Sequence, residues 1–391
     1  MDTQLQHIVD QVRSAAAAKT PLRIRGGGSK DFYWPGGAPE GQTQGDAQLG
    51  QVLDTTALNG IVSYEPSELV VTVKAGTPLA ELEALLAEKN QCLPFEPPHF
   101  GDAQATVGGM VASGLSGPAR ASVGGVRDYV LGLELLNGRA ELLRFGGTVM
   151  KNVAGYDVSR LMVGAMGTLG VITEVSLKVL PMAPSEATLV FEMDQASALK
   201  QLNTWGGQPL PLNASRWQAL EAGAPAGIGQ LHVRLRGAAA AVKAATELMV
   251  QRAGGRTLDV QEAALQWRLC RDLKLPFFTE PPAPDQVLWR ASVAQTTPVL
   301  ALPSTQLVEW HGGLRWFWKN PYKIDLNEIA VENTINYATI FISNNQDYLS
   351  ASKEKFNDKN KEITNMQIQH RLKAEFDPEG IFNRGRLHPD F

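Results

Sequence analysis

The sequence predicts an α+β fold in two domains, 1–182 and 183–391. Three observations carry this. Strand-like runs rich in β-branched residues alternate with amphipathic helical segments along the whole chain. Glycine clusters concentrate in the first half, and Pro181 and Pro184 punctuate the chain midway. At 391 residues, 44% of them hydrophobic, the chain can fill two cores of ordinary size.

The elements follow in order. Leu5, Ile8, Val9, Val12 and Ala16 recur at helical spacing and predict an amphipathic helix over 3–19. Pro21–Arg25 reads as a short strand that runs into Gly26-Gly27-Gly28-Ser29-Lys30. A second strand spans 69–73. After it Thr77 is expected as N-cap and Pro78 as first residue of a helix with Leu79, Leu82, Leu85 and Leu86 on its apolar side. Residues 97–125 are rich in Gly, Ala and Ser. Strand character returns over 128–136. A helix-like piece, a glycine turn at 164–170 and a strand over 171–179 follow. In the second half, strands are predicted over 188–193, 230–236, 287–294 and 336–343, and helices over 238–252 and 261–273. Gly254-Gly255 closes the first of these helices. Together they predict an α+β cap domain on an antiparallel sheet. The stretch from 320 to 368 is crowded with Asn, Lys and Ile, and both compositional drift and a replaced segment produce such a pattern.

Composition excludes several functions. A net charge of -4 without a basic stripe argues against nucleic acid as partner. The start has no basic n-region or apolar run, and no stretch is long and apolar enough to span a membrane, so a cytoplasmic location is expected. Two distant cysteines, Cys92 and Cys270, make no disulfide framework, zinc site or iron–sulfur cluster. The six histidines, His7, His99, His232, His311, His370 and His388, lack ligand spacing, so no metal site is expected.

Chemistry concentrates in the glycines. Turns with successive exposed N–H groups form nests for phosphate oxygens, and Ser29 and Lys30 add a hydroxyl and a charge beside the first cluster. No G-x-G-x-x-G joins a strand to a helix, and Gly109 to Gly114 has P-loop spacing but is followed by Leu115-Ser116. Neither common nucleotide motif is present.

Four motifs in order carry a resemblance: Pro21 to Lys30; Thr106-Val107-Gly108-Gly109; Gly155-Tyr156-Asp157 through Gly167-Thr168-Leu169-Gly170-Val171-Ile172-Thr173-Glu174; and Phe376-Asp377-Pro378-Glu379-Gly380-Ile381-Phe382-Asn383. The chain resembles the vanillyl-alcohol oxidase/p-cresol methylhydroxylase superfamily, whose FAD-binding (PCMH-type) domain is two-part. Phe95 to Asp102 and Gly114 to Pro118 narrow the likeness to the E subunits of bacterial glycolate oxidase, or glycolate dehydrogenase. The likeness covers 1–318 and 366–391 and fades between, where Tyr337 to Phe341 matches a family strand.

The resemblance implies noncovalent FAD. Arg25, Gly26, Gly27, Gly28, Ser29 and Lys30 would cradle the pyrophosphate. Thr106, Val107, Gly108 and Gly109, with Gly114 and Gly117, would wrap the phosphate and ribityl side. Gly167, Thr168, Gly170, Val171 and Ile172 would lie along the isoalloxazine, and Asn383 would approach it from the second domain. Arg384 stands where the family has proline, which predicts a looser turn. The early glycine loops hold no histidine for a covalent flavin link.

Oxidation of a 2-hydroxy acid also needs a base and a cation for the carboxylate. Related dehydrogenases carry a histidine-rich metal motif that has no counterpart here. Arg120, Arg127, Arg160, Arg290 and Arg386 are the candidate carboxylate clamps, and spacing does not choose among them. Trp310, Trp316, Phe317 and Trp318 read as core, and no catalytic residue is assigned. Three functions are compatible with this. The chain is a flavin subunit working with a larger FAD-binding catalytic subunit and an iron–sulfur subunit, the complex docking it at the inner membrane and oxidising glycolate to glyoxylate. Alternatively it is a stand-alone hydroxy-acid or alcohol oxidoreductase, or a non-catalytic flavin-fold scaffold.

Overall fold

The computed structural model describes residues 2–32, 50–101, 104–147, 157–220, 227–302, 306–320, 335–342 and 359–387. The chain divides into two units: Met1–Leu115, Gly125–Met182 and Asp358–Phe391 form the first, Ser116–Gly124 and Ala183–Asn357 the second. This departs from a linear split at 182 in two places. The segment Ser116–Gly124 joins the later unit, and the closing motif, Asn383 included, joins the earlier one. Most of the Asn/Lys/Ile-rich segment, with Gly155, Tyr156 and His388, lies outside the described residues.

In the first unit an antiparallel sheet runs in the order Ile61–Glu65, Val70–Lys74, Val171–Lys178, Val130–Leu136, Leu142–Gly146. Val171–Lys178 is central and nearly all buried, which is why it reads as an apolar run rather than an alternating one. The Leu79–Glu88 helix buries Leu79, Leu82 and Leu86. Its N-cap is Pro78; Thr77 instead exchanges hydrogen bonds between its hydroxyl and the Gly60 backbone, which corrects the expected cap. A second, parallel pair joins Leu22–Arg25 to Gln51–Asp54. The Thr3–Ala18 helix packs Ile8, Val9 and Val12 with Leu22, Leu53, Val171 and Phe382.

The glycine-rich stretch after Pro97 conceals a helix, Val107–Ser113. Thr106 caps it by accepting from Gly109 N at 3.3 Å, and Gly114 ends it at φ 64°. Thr106 at N-cap and glycine just past the end are the signals that could have found it.

The Lys359–Phe376 helix leads into the closing motif. Lys373, 5% exposed, donates to Asp377 Oδ2 at 2.7 Å, Thr168 O at 2.7 Å and Phe382 O at 3.0 Å. Asp377, 1% exposed, also accepts from the backbone N–H groups of Ile381 and Phe382. Burial lowers the Lys373 pKa, and the Asp377 charge opposes that shift.

The second unit holds an eight-stranded antiparallel sheet. Its order is Arg256–Thr257, Ser185–Asp194, Ile228–Gly237, Leu212–Ala219, Gln306–Glu309, Leu314–Lys319, Val287–Val293, Ile335–Ile342. Leu231, Val233 and Leu235 face a core shared with the helices Gln195–Gly206 and Ala239–Ala253. By strand alternation His232 and Arg234 face the other way, where Trp267 of the Val260–Arg271 helix lies 4.9 Å from the Arg234 guanidinium. Besides the two-residue Arg256–Thr257, three strands of this sheet, Leu212–Ala219, Gln306–Glu309 and Leu314–Lys319, escape the sequence reading. Each carries a polar or aromatic side chain that is buried and paired, which breaks the alternation pattern.

Lys373→Met is expected to destabilise the chain by about 3–5 kcal/mol, because it strands a buried carboxylate. Lys373→Met combined with Asp377→Asn should recover part of the loss. Urea unfolding of the three proteins measures both effects.

Candidate functional site

A single cleft in the first unit gathers the early and late motifs. Its walls come from the 24–31 loop, the start of the Val107–Ser113 helix, the 166–172 turn and the closing motif. Arg25, Gly26, Gly27, Gly28, Ser29 and Lys30 all line it. So do Thr106, Gly108 and Gly109, then Gly167, Gly170 and Ile172, and finally Asn383. Sequence reasoning did not place Asp31, Thr55, Met166 or Arg386 there, and the structure does. Arg386 was weighed only as a carboxylate clamp; its place three residues beyond Asn383 was the available signal.

Five expected residues do not line the cleft. Val107 and Val171 are fully buried core. Gly114 terminates its helix by donating to Met110 O. The Thr168 hydroxyl donates to Ala165 O at 2.7 Å, while its carbonyl takes the Lys373 ammonium. Gly117 belongs to the second unit, where its carbonyl accepts the Trp310 indole N–H at 3.0 Å.

The glycines are required by close backbone contacts. A Cβ on Gly27 would strike the Gln104 carbonyl, and one on Gly26 would strike the Thr106 hydroxyl. Gly28 has φ 72°, and a Cβ there would meet the Arg25 guanidinium. Side-chain-free walls leave peptide groups as the lining, which suits a ligand held by backbone N–H groups.

Asn383 ties three walls together. Its Oδ1 accepts from Ile24 N at 2.8 Å, its Nδ2 donates to Met166 O at 2.7 Å, and its own N–H donates to Leu22 O at 3.0 Å. It adopts φ 43° and is 1% exposed. The looser turn expected from Arg384 is not found: the Arg384 side chain bonds the Gly380 and Lys19 carbonyls and clips the turn shut.

Electrostatics set the cleft's preference. Lys30 is 8% exposed, and its ammonium has only the Ser29 hydroxyl at 3.5 Å and the Phe100 ring at 5.8 Å as partners among the described residues. Burial, then the charge of Arg386, push its pKa down to about 8. Arg25 is neutralised by Asp31 at 2.8 Å. A buried ammonium beside a second cation calls for an anion, and a pyrophosphate supplies one. The donor set therefore fits FAD. No histidine or cysteine is among the described lining residues; His99 pairs with Glu83 at 2.9 Å instead. Among the described residues no group of His, Cys, Asp and Glu could hold a metal ion.

The fold and cleft define the class, and comparison with known proteins agrees. Residues 3–146 match the FAD binding domain family, so the chain is an FAD-binding flavoprotein of the PCMH type. Glycolate oxidase subunit GlcE of Escherichia coli K12 is 40% identical over 386 residues, which span 98% of this chain and 97% of the relative. The chain belongs to that subunit family and is an FAD-linked oxidoreductase. A D-lactate dehydrogenase of Anaerostipes hadrus is 37% identical over 158 residues, 40% of this chain and 33% of the relative. Alkyldihydroxyacetonephosphate synthase shares the fold at TM-score 0.64 and 16% identity, over 97% of this chain and 74% of that one.

Lys30 gives the ligand-free chain a pH signature. Its folded pKa of about 8 lies below the usual 10.5, so between those values the unfolded state binds more protons. Stability should then rise with pH across that window, by ~3 kcal/mol at most. Denaturation at pH 7.5 and pH 10 tests this; Lys30→Met should abolish the difference, and bound FAD should diminish it.

Proposed function

We propose that this chain is the FAD-carrying subunit of a glycolate oxidase-type complex that converts glycolate to glyoxylate and passes electrons to an iron–sulfur partner. The likeness to subunit GlcE over nearly the whole chain carries the reading, and the buried Lys30 ammonium in a glycine-walled cleft supports its FAD. Bound FAD supplies a hydride acceptor. The chain's own residues would hold and position that group. Arg25 to Lys30 hold the pyrophosphate through backbone N–H groups and the ammonium. Gly108 and Gly109 admit the phosphate and ribityl side. Gly167, Gly170 and Ile172 line the ring, and Asn383 fixes the position of that wall.

Two features support partners. In this reading electrons pass from the flavin to an iron–sulfur partner, a role that suits a chain with only two, widely separated cysteines. The relatives include subunits named GlcE and GlcD, the latter from Bacillus subtilis and 33% identical over 152 residues. Those names support a multi-subunit complex, and in this reading a larger FAD-binding catalytic subunit shares it. No helix among the described residues is long and apolar enough to cross a membrane, which fits a cytoplasmic chain docked through its partners. Noncovalent attachment is supported by a cleft whose described lining residues include no histidine or cysteine.

Gly27→Asp puts a carboxylate against the pyrophosphate position and adds a Cβ where the Gln104 carbonyl stands. FAD occupancy of the purified protein should fall below a tenth of wild type. Retained flavin in a well-folded variant sinks the loop assignment. Acid precipitation of wild type should release the flavin into the supernatant; colour kept in the pellet means a covalent link. Dye reduction by glycolate should be absent from the chain alone and appear when partner subunits are added.

A further inference from the structure

The second unit buries a positive charge that the flavin site does not explain. Arg315 is 1% exposed and stands second in the Leu314–Lys319 strand, opposite Ala291 and Val308 of the flanking strands. Strand alternation puts Phe317 on the same face, which packs with Trp289, Ala291 and Val293. The Arg315 Nη2 donates to Thr297 O at 3.0 Å. Its Nε and Nη1 are buried and have no partner among the described residues. Two other buried arginines of this sheet are better provided for. Arg234 Nε donates to Asn213 Oδ1 at 2.7 Å. Arg216 Nη2 donates to Gln266 Oε1 at 3.0 Å; its Nε and Nη1 are also unbonded, but its charge is close enough to the buried Glu309 carboxyl to lower that pKa.

Arg315 has no such acid. Burial alone brings its pKa down to about 10, so it stays charged near pH 7. A buried lysine or histidine sheds its proton under such pressure; a guanidinium does not. Two pieces of backbone border it. Thr297 belongs to the Gln295–Leu302 segment, which follows the Val287–Val293 strand. The other is the turn Trp310-His311-Gly312, with left-handed φ values of 54°, 55° and 99° in succession. Gln295 Nε2 donates to Trp310 O at 3.3 Å and so straps the segment to the turn. A Cβ on Gly312 would stand 2.8 Å from Gln295 O and 3.7 Å from Arg315 Nη1. With glycine at 312, that position sets no side chain against Nη1.

We propose that Arg315 binds a small inorganic anion of chloride size through its Nε and Nη1 donors, beside the Gln295–Leu302 segment and the 310–312 turn. The size follows from burial. A guanidinium 1% exposed is out of reach of a partner's side chain or a carboxylic acid substrate, whereas a single ion enters by local opening of the covering segment. The charge follows from the guanidinium. Water satisfies its donors without balancing its charge, and an unbalanced charge in an apolar core is costly. The ion neutralises the cation that fastens Thr297 to the Leu314–Lys319 strand.

Urea unfolding of the full-length, FAD-loaded chain tests this, with chloride replacing gluconate at constant ionic strength. The folded-to-unfolded ratio of wild type should rise by at least about tenfold and then saturate, as for a ligand bound only by the folded state. Arg315→Met, with the same FAD content, should lose that response. An equal response in the two proteins, or none in wild type, overturns the site. Crystals of the wild-type chain soaked in bromide give a readout that does not depend on the variant folding. An anomalous peak in contact with the Arg315 guanidinium is expected. Water there without anomalous signal overturns the proposal, as does a peak that persists in Arg315→Met.

Discussion

One buried ammonium organises the first unit. Lys373 spends its three donors on Asp377, Thr168 and Phe382, and so binds the last helix to the 166–172 turn and to the closing motif at once. Asp377 in turn fixes the backbone of Ile381 and Phe382. That geometry delivers Phe382 into the core beneath the Thr3–Ala18 helix and delivers Asn383 to Ile24 and Met166. The cleft walls are thus contributed by segments more than 350 residues apart, and their spacing is set by groups that solvent does not reach. Buried ion pairs are seldom the cheapest source of stability. This one is spent on position, since an apolar pair of equal volume would supply none of the four backbone bonds.

The sequence made the backbone of this site legible because its signals were local. Glycine runs, the strand before them and the late turn sit where their spacing puts them, and most of the expected lining residues converge on one cleft. What it did not reveal was non-local. Nothing near Thr168 says that its carbonyl faces a lysine 205 residues away. Gly114 and Gly117 look like ligand glycines because a helix cap and a carbonyl beneath an indole ask the same of a residue as a phosphate does. Val107 and Val171 were carried along by motif continuity, although neighbours in a strand or helix turn point to different sides. The second unit was read less completely for a related reason. Its sheet buries Arg216, Arg234, His232 and Glu309, and polar side chains at core positions erase the apolar alternation by which strands are recognised.

The same physics explains why the informative residues are the uncomfortable ones. Lys30 is desolvated beside another cation, and Trp310 and His311 hold left-handed backbone without being glycine. Each arrangement lowers the stability of the ligand-free chain, and each is locked by neighbours that gain nothing from it otherwise: Ser29 and Phe100 around Lys30, Ser122, Ser215 and Gly117 around the turn. A fold selected for stability alone would replace Lys30 with an apolar residue and relax the turn with glycine. Retaining Lys30 is consistent with a site whose missing charge arrives with a ligand, a pyrophosphate.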